Sequence, residues 1–213
     1  MAPHIKFTRE EMVNAALHLV QEKGIDCLTA KTLAAELGIS TQPVFTCFGS
    51  MDVVKQEVYA AAEKQVDAYA ETALRQKLPF FEFGMQYILF ARKEPELYRL
   101  LFLTQIPGQE HSVLQAMQHA QEIVRPTLMK FYRLTSTEAD RYFRDLWLVA
   151  HSIATLIVTG DCPYSDHEIQ QIVTGFSLSI CKSIKEIPGF AENTYDRDVE
   201  FRALVADKSE TAE

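Results

Sequence analysis

From residue 9 to residue 187, apolar residues recur at spacings of three and four, and strict apolar–polar alternation is almost absent. That period stacks side chains on one face of a helix, whereas a half-buried strand needs a period of two. The chain is therefore read as all-α. Its punctuation agrees. Thr8 with Glu11, Thr135 with Glu138, and Ser165 with Glu168 have capping-box spacing, in which a hydroxyl and a carboxylate satisfy end N–H groups reciprocally. The few glycines and prolines fall mostly where helices should stop or start.

Three short helices are expected over residues 9–23, 30–37 and 41–48. Gly24 is expected as a left-handed cap, Thr29 and Ser40 as N-caps, and Pro43 in the first turn of the third helix. Ser50 should cap a fourth helix, residues 51–77. Further helices are expected over 79–93, 96–103, 110–133, 136–159 and 166–187. Residues 104–109 read as a loop, and Pro126 should kink or split its helix. Phe201 and Leu204 are expected to dock a last turn. The domains expected are a reading head at 1–50, a helical body at 51–190 and an acidic polar tail at 191–213. No Gly/Ser linker interrupts the fourth helix, so motion at one end should be transmitted to the other.

Composition excludes several classes. The 213 residues carry 21 Lys+Arg against 29 Asp+Glu, a net charge of −8. That argues against a polybasic nucleic-acid binder, whose affinity comes from clustered Lys and Arg. The excess is uneven. Residues 1–55 hold Lys6, Arg9, Lys23, Lys31 and Lys55 against Glu10, Glu11, Glu22, Asp26, Glu36 and Asp52, so most of the acidity lies further along. The N-terminal residues lack an apolar leader segment. The most apolar stretch, 146–158, is broken by His151, Ser152 and Thr155, so no membrane span is expected. The four cysteines are scattered and read as reduced thiols of a cytoplasmic protein. No phosphate-binding Gly loop, nucleophile elbow, carboxylate pair or metal-ligand spacing is present. Catalytic residues, cofactors and metals are therefore not expected. Cys47 has no basic neighbour in sequence to make it a reactive thiolate.

Residues 30–48 have the pattern of a helix-turn-helix: a short helix, a tight turn with Gly38, and a second short helix. In that motif the second helix meets base edges with its N-terminal residues, here Ser40-Thr41-Gln42-Pro43. Gln pairs bidentately with adenine, and Thr bonds bases or touches a thymine methyl. On geometry alone, two short capped helices serve equally well inside a bundle.

The residues themselves go further. Ala15-Ala16-Leu17, Lys23-Gly24, Leu28-Thr29, Leu33-Ala34, Leu37-Gly38-Ile39-Ser40 and the run Val44 to Met51 follow a known pattern. From Phe7 to Val54, without a gap, the chain closely resembles the DNA-binding domain of the TetR family of bacterial regulators. The resemblance implies a homodimer on double-stranded, palindromic operator DNA, usually repressing, with a variable C-terminal domain that binds a small inducer. Family members usually carry Lys at positions 41 and 51, Tyr at 45, and His or Tyr near 46–47. This chain has Thr41, Met51, Phe45 and Thr46-Cys47. Lys31 keeps the family's common basic residue. The expected DNA-contacting set is Thr29, Lys31, Ser40, Thr41, Gln42, Pro43, Phe45, Thr46 and Lys55. Helix N-termini would supply part of the missing attraction for phosphate.

In the body, Pro95-Glu96-Leu97-Tyr98 with Trp147 and His151 resembles one TetR subgroup known for a Trp-His-Gly signature, with Ser152 in place of the Gly. Trp147 and His151 are i, i+4 and share a face. His151 fits either a ligand-fixing imidazole or a buried histidine satisfied by a carbonyl. The expected ligand-contacting set is Phe83, Tyr87, Phe90, Phe102, Met117, Phe131, Trp147 and His151, with Phe80, Tyr98 and Tyr132 as further candidates. Walls so bulky favour an apolar or aromatic inducer over a sugar. The helix over 136–159 is apolar nearly all round and must be covered on two sides. The next helix adds an isoleucine-rich face and a small-residue ridge. The expected dimer surface is Leu148, Ile153, Ile157, Ile172, Gly175, Phe176, Ser179, Ile180 and Ser183; a wide single-chain core is the alternative. As alternatives to a regulator, an all-α enzyme lacks any supporting motif. A helical ligand-binding protein that has lost DNA affinity fits the neutral recognition helix.

Overall fold

The computed structural model describes residues 7–76, 79–104 and 113–206, without the side chains of Pro79, Phe80 and Ala206. Among these residues ten α-helices follow in order: α1 (Arg9–Lys23), α2 (Ala30–Leu37), α3 (Gln42–Phe48), α4 (Met51–Leu74), α5 (Pro79–Lys93), α6 (Pro95–Tyr98), α7 (Val113–Tyr132), α8 (Ser136–Thr159), α9 (Asp166–Glu186) and α10 (Arg197–Ala206). No strand occurs among the described residues. A 3-10 turn (Ile25–Cys27) follows α1, and a π-helical turn (Arg99–Leu103) continues α6. All three anticipated capping boxes form. Thr29 adds a fourth, in which Thr32 takes the place of the usual Glu.

In the head, α1 buries Met12, Ala16 and Val20 against Leu33 of α2, Val44 and Phe48 of α3, and Val54 and Val58 of α4. Apart from the small Ala16, each is a large apolar side chain removed from water, worth roughly 1.5–3 kcal/mol relative to exposure. The body is built on α4, α5, α7, α8 and α9, with α5 between α4 and α8, and α9 covering α8. Its core includes Phe90, Leu97, Tyr98, Leu128, Tyr142 and Phe143, all essentially inaccessible. No described helix is long and apolar enough to cross a membrane.

Several local expectations change. Helix α3 begins at Gln42, not at Thr41, and Ser40 is not its cap. Thr41 holds that place with helical backbone angles (φ −71°, ψ −19°) and no side-chain cap, because an extended N-cap backbone is what turns a hydroxyl back onto the helix. Gly24 has positive φ (77°), but its ψ of 168° makes it extended instead of left-handed helical. Only glycine adopts that region readily. A Cβ there would lie 2.8 Å from the Glu96 carboxylate. Helix α4 ends at Leu74. Helix α7 passes through Pro126 as a single element, with the proline exposed so that water can take the freed carbonyl. The start expected at residue 110, and all but Thr104 of the loop expected over 104–109, lie outside the described residues. Phe201 and Leu204 belong to α10 but stay 62% and 66% exposed, so they do not dock.

Candidate functional site

The head presents α3 outward. Ser40, Thr41, Gln42, Phe45 and Thr46 are exposed, while Val44 and Phe48 on the opposite face anchor the helix in the core. Neither Ser40 nor Thr41 uses its hydroxyl to cap α3. Thr46 donates to the Gln42 carbonyl at 2.9 Å, leaving its oxygen to accept. Phe45 is 43% exposed and gives this surface an apolar centre. Pro43 is half-buried in the first turn. Lys31 is exposed in the first turn of α2, and Lys55 is half-buried in α4. Thr29 has its hydroxyl engaged, accepting from the Thr32 N–H at 3.1 Å.

Arg9 fixes the orientation of this surface. Its Nη1 donates to the Cys47 carbonyl at the end of α3 (2.6 Å), and its Nε donates to Glu57 of α4 (2.8 Å). Its guanidinium also lies over the Phe48 ring, 4.4 Å from the centroid. One side chain thus joins α1, α3 and α4, through a planar fork of the kind only Arg supplies. Neighbours three and four residues apart gave no sign of this role, because its partners are 38 and 48 residues away.

The body contains a cavity of about 570 Å³. Phe83 and Tyr87 of α5, Phe102 of the π-helical turn and Trp147 of α8 form its inner wall. Helix α4 contributes Tyr59, Glu63, Asp67 and Ala70 at near-helical spacing, and α7 contributes His119 and Ile123. Of the ligand set expected from sequence, Phe83, Tyr87, Phe102 and Trp147 line this cavity. Phe90 does not; it is fully buried and packs edge-on against Tyr69. Phe131 does not either; it is 49% exposed near the end of α7 and meets Tyr132. Met117 is half-buried on α7 and Tyr132 packs at a tilt against Tyr142, both off the wall. The Phe80 side chain lies outside the described residues. The α4 and α7 walls were missed, although two carboxylates on the buried stripe of α4 were a usable cue.

His151 sits one layer behind the wall. Its ring stacks on Trp147 with centroids 4.6 Å apart and planes 10° apart. The Tyr87 and Tyr98 hydroxyls both lie 3.0 Å from its Nδ1. Tyr98 also reaches Thr155 Oγ1 at 2.9 Å and the His151 carbonyl at 3.3 Å. With the proton on Nε2, Nδ1 accepts from Tyr87 while Tyr98 donates to Thr155 or the carbonyl, so both phenols and Nδ1 are satisfied. The imidazole is held by phenols, not by the backbone carbonyl acceptor that a purely structural histidine was expected to use. Burial lowers the His151 pKa below its ordinary 6.5. The unfolded ring therefore binds a proton before the folded one does. The stability His151 contributes is complete above about pH 6.5 and is lost as pH falls through the folded pKa. Melting temperatures across pH 7 to 5 should decline less steeply for His151→Gln; parallel curves would exclude this residue as the titrating group.

Helices α8 and α9 share a second, outward face. Leu148 (49%) and Phe176 (50%) are the large side chains on it, with Ser152, Gly175 and Ser179 also exposed. Ile157, Ile172 and Ser183 are half-buried beside them. Ile153 and Ile180 are buried within the chain's own core, so they cannot offer surface to a partner. The isoleucine-rich face of α9 splits: Ile169, Val173, Ile180 and Ile184 turn inward, while Phe176 turns out. No group of three metal-ligating side chains occurs among the described residues.

A helix-turn-helix head joined through one unbroken helix to a cavity-bearing helical body is the architecture expected of a DNA-binding regulator that answers to a small molecule. Residues 80–174 match the family described as tetracyclin repressor-like, C-terminal domain. None of the curated proteins matches the chain in sequence. The fold is similar to that of a protein of unknown function from Rhodococcus sp. RHA1 (19% identity, TM-score 0.66, covering 86% of this chain and 98% of that one). It is also similar to a TetR family member from Streptomyces coelicolor A3 (19%, 0.56, 79% and 96%), and to the multidrug binding protein EbrR complexed with imidazole (22%, 0.53, 79% and 88%). Over residues 80–174 the chain thus resembles the C-terminal domain of the TetR family, and its overall fold is the one seen in a TetR family structure. Members of this family are transcription regulators and not enzymes.

Proposed function

We propose that the chain is a homodimeric, cytoplasmic repressor that holds a palindromic operator through α3 and releases it when a small molecule enters the cavity. The reading head would be residues 1–50, the ligand-binding and dimerisation body 51–190, and the acidic tail 191–213. One observation carries the reading. Helix α4 runs unbroken from Met51, beside α3, to Ala70 on the cavity wall. A ligand that shifts the wall therefore shifts the element to which Arg9 ties the end of α3. Ser40, Thr41, Gln42 and Phe45 would meet bases, with Thr29, Lys31, Pro43, Thr46 and Lys55 on the flanks. Phe83, Tyr87, Phe102 and Trp147 would contact the inducer, and His151 would act through Tyr87. Leu148, Ile157, Ile172, Gly175, Phe176, Ser179 and Ser183 would meet the second copy.

The test is a mobility-shift assay at low salt on the DNA upstream of the protein's own gene. A specific shift is expected, and its absence would sink the repressor reading. The neutral recognition surface favours a second reading, a helical ligand-binding protein without DNA affinity. Salt dependence separates the two. Each phosphate neutralised adds about 0.9 to the log–log slope of affinity against salt. A repressor lacking Lys at 41 and 51 should show a shallow slope, and Met51→Lys should steepen it by about 1. Fluorescence anisotropy at several salt concentrations reads this, and an unchanged slope removes position 51 from the interface.

A further inference from the structure

We propose that the cavity takes an amphipathic organic cation: a positive charge, quaternary or delocalised, on a bulky apolar body. The proposal rests on the reading of this cavity as the inducer site. Its volume of about 570 Å³ suits a drug-sized molecule. Tyr59, Phe83, Tyr87, Phe102 and Trp147 line it. Aromatic faces carry the negative lobe of the ring quadrupole, and they attract a cation most strongly where water is excluded.

Charge on the wall points the same way. Glu63 and Asp67 lie one turn apart on α4 and both line the cavity. The Tyr59 hydroxyl is pushed up to about 12, first by burial and then by the negative charge of Glu63. The field of that carboxylate therefore reaches the aromatic wall. Against two carboxylates stand Lys64 and His119. Lys64 is exposed, and its flexible stem can carry the ammonium into water. His119 faces Asp67 at 3.4 Å and is itself 61% exposed. The two phenols on the wall are already engaged within the protein. The Tyr87 hydroxyl is turned to His151 and the Tyr59 hydroxyl to the Leu101 carbonyl (3.4 Å).

Trp147 is the only tryptophan in the chain, so tryptophan emission, excited beyond the absorption of the eight tyrosines, reports on this wall alone. Three probes of similar bulk and different charge test the proposal on the full chain: tetraphenylphosphonium, tetraphenylborate and neutral triphenylphosphine oxide. Tetraphenylphosphonium should perturb Trp147 emission with a Kd about tenfold or more below the other two, the scale expected of partly desolvated cation–π and carboxylate contacts. Glu63→Gln should weaken the cation about tenfold and leave the neutral probe within about twofold, and Asp67→Asn should act in the same direction. If the anion or the neutral probe binds as tightly as the cation, the charge preference is overturned while the cavity stands as the ligand site. If none of the three perturbs Trp147, the cavity reading fails and the proposal with it. If Glu63→Gln weakens all three equally, the carboxylate only shapes the wall, and its attraction for the cation is refuted.

Discussion

A Phe176→Glu variant is expected to fold, to run as a monomer and to lose high-affinity operator binding. Phe176 is half-exposed in the single chain, so the exchange removes little from the protomer's own core. In a two-fold symmetric pair the same residue is used by both subunits, and each substitution counts twice. Burying an unpaired carboxylate against Leu148 and the small residues of α9 costs several kcal/mol per copy. Dimer affinity should therefore fall by about 100-fold or more, the equivalent of about 2.7 kcal/mol. DNA affinity should follow, because a lone head contacts only one half-site. Light scattering after size exclusion reads the mass, and circular dichroism checks the fold. A variant that stays dimeric at micromolar concentration would place the interface elsewhere.

Replacing Gln42 by Ala should weaken specific operator binding by about 10-fold or more, since a bidentate side-chain–base pair is worth about 1–3 kcal/mol of discrimination. Non-specific binding should be nearly unchanged, as should the salt slope, because an amide neutralises no phosphate. The side chain is exposed, so stability should not move. This combination distinguishes base reading from backbone positioning. Equal loss on specific and random DNA would reassign Gln42 to a positioning role.

The elements of this fold were largely legible because their signals are local. A threonine three residues before a glutamate marks a helix start wherever it falls, and such pairs do begin α1 and α8. The short helices of the head follow from Gly38 and from the Phe7–Val54 pattern. Two kinds of information were not local. The cavity depends on which aromatic rings meet across helices: Phe90 and Phe83 sit seven residues apart on α5, yet one fills the core and the other lines the space. Likewise Ile153 and Leu148 are neighbours on an apolar helix, and only the packing of α5 and α9 on α8 decides which faces outward. His151 was legible as a polar group on an apolar face, but its partners Tyr87 and Tyr98 are 64 and 53 residues away.

The close seat of Gly24 against Glu96 bears on modularity. A reading head is commonly regarded as an exchangeable part, to be cut at the end of its third helix and grafted onto another sensor. Here α1 reaches past that cut. A methyl group at Gly24 would lie 2.8 Å from the Glu96 carboxylate and would force that side chain to move, and Gln21 meets Glu94 at 3.2 Å. The recipient of a graft would have to supply the same short helix at the same distance, or be given residues 94–98 along with the head. Chimeras cut at residue 50 should bind DNA constitutively or fold poorly, and those that carry α6 across should keep their response.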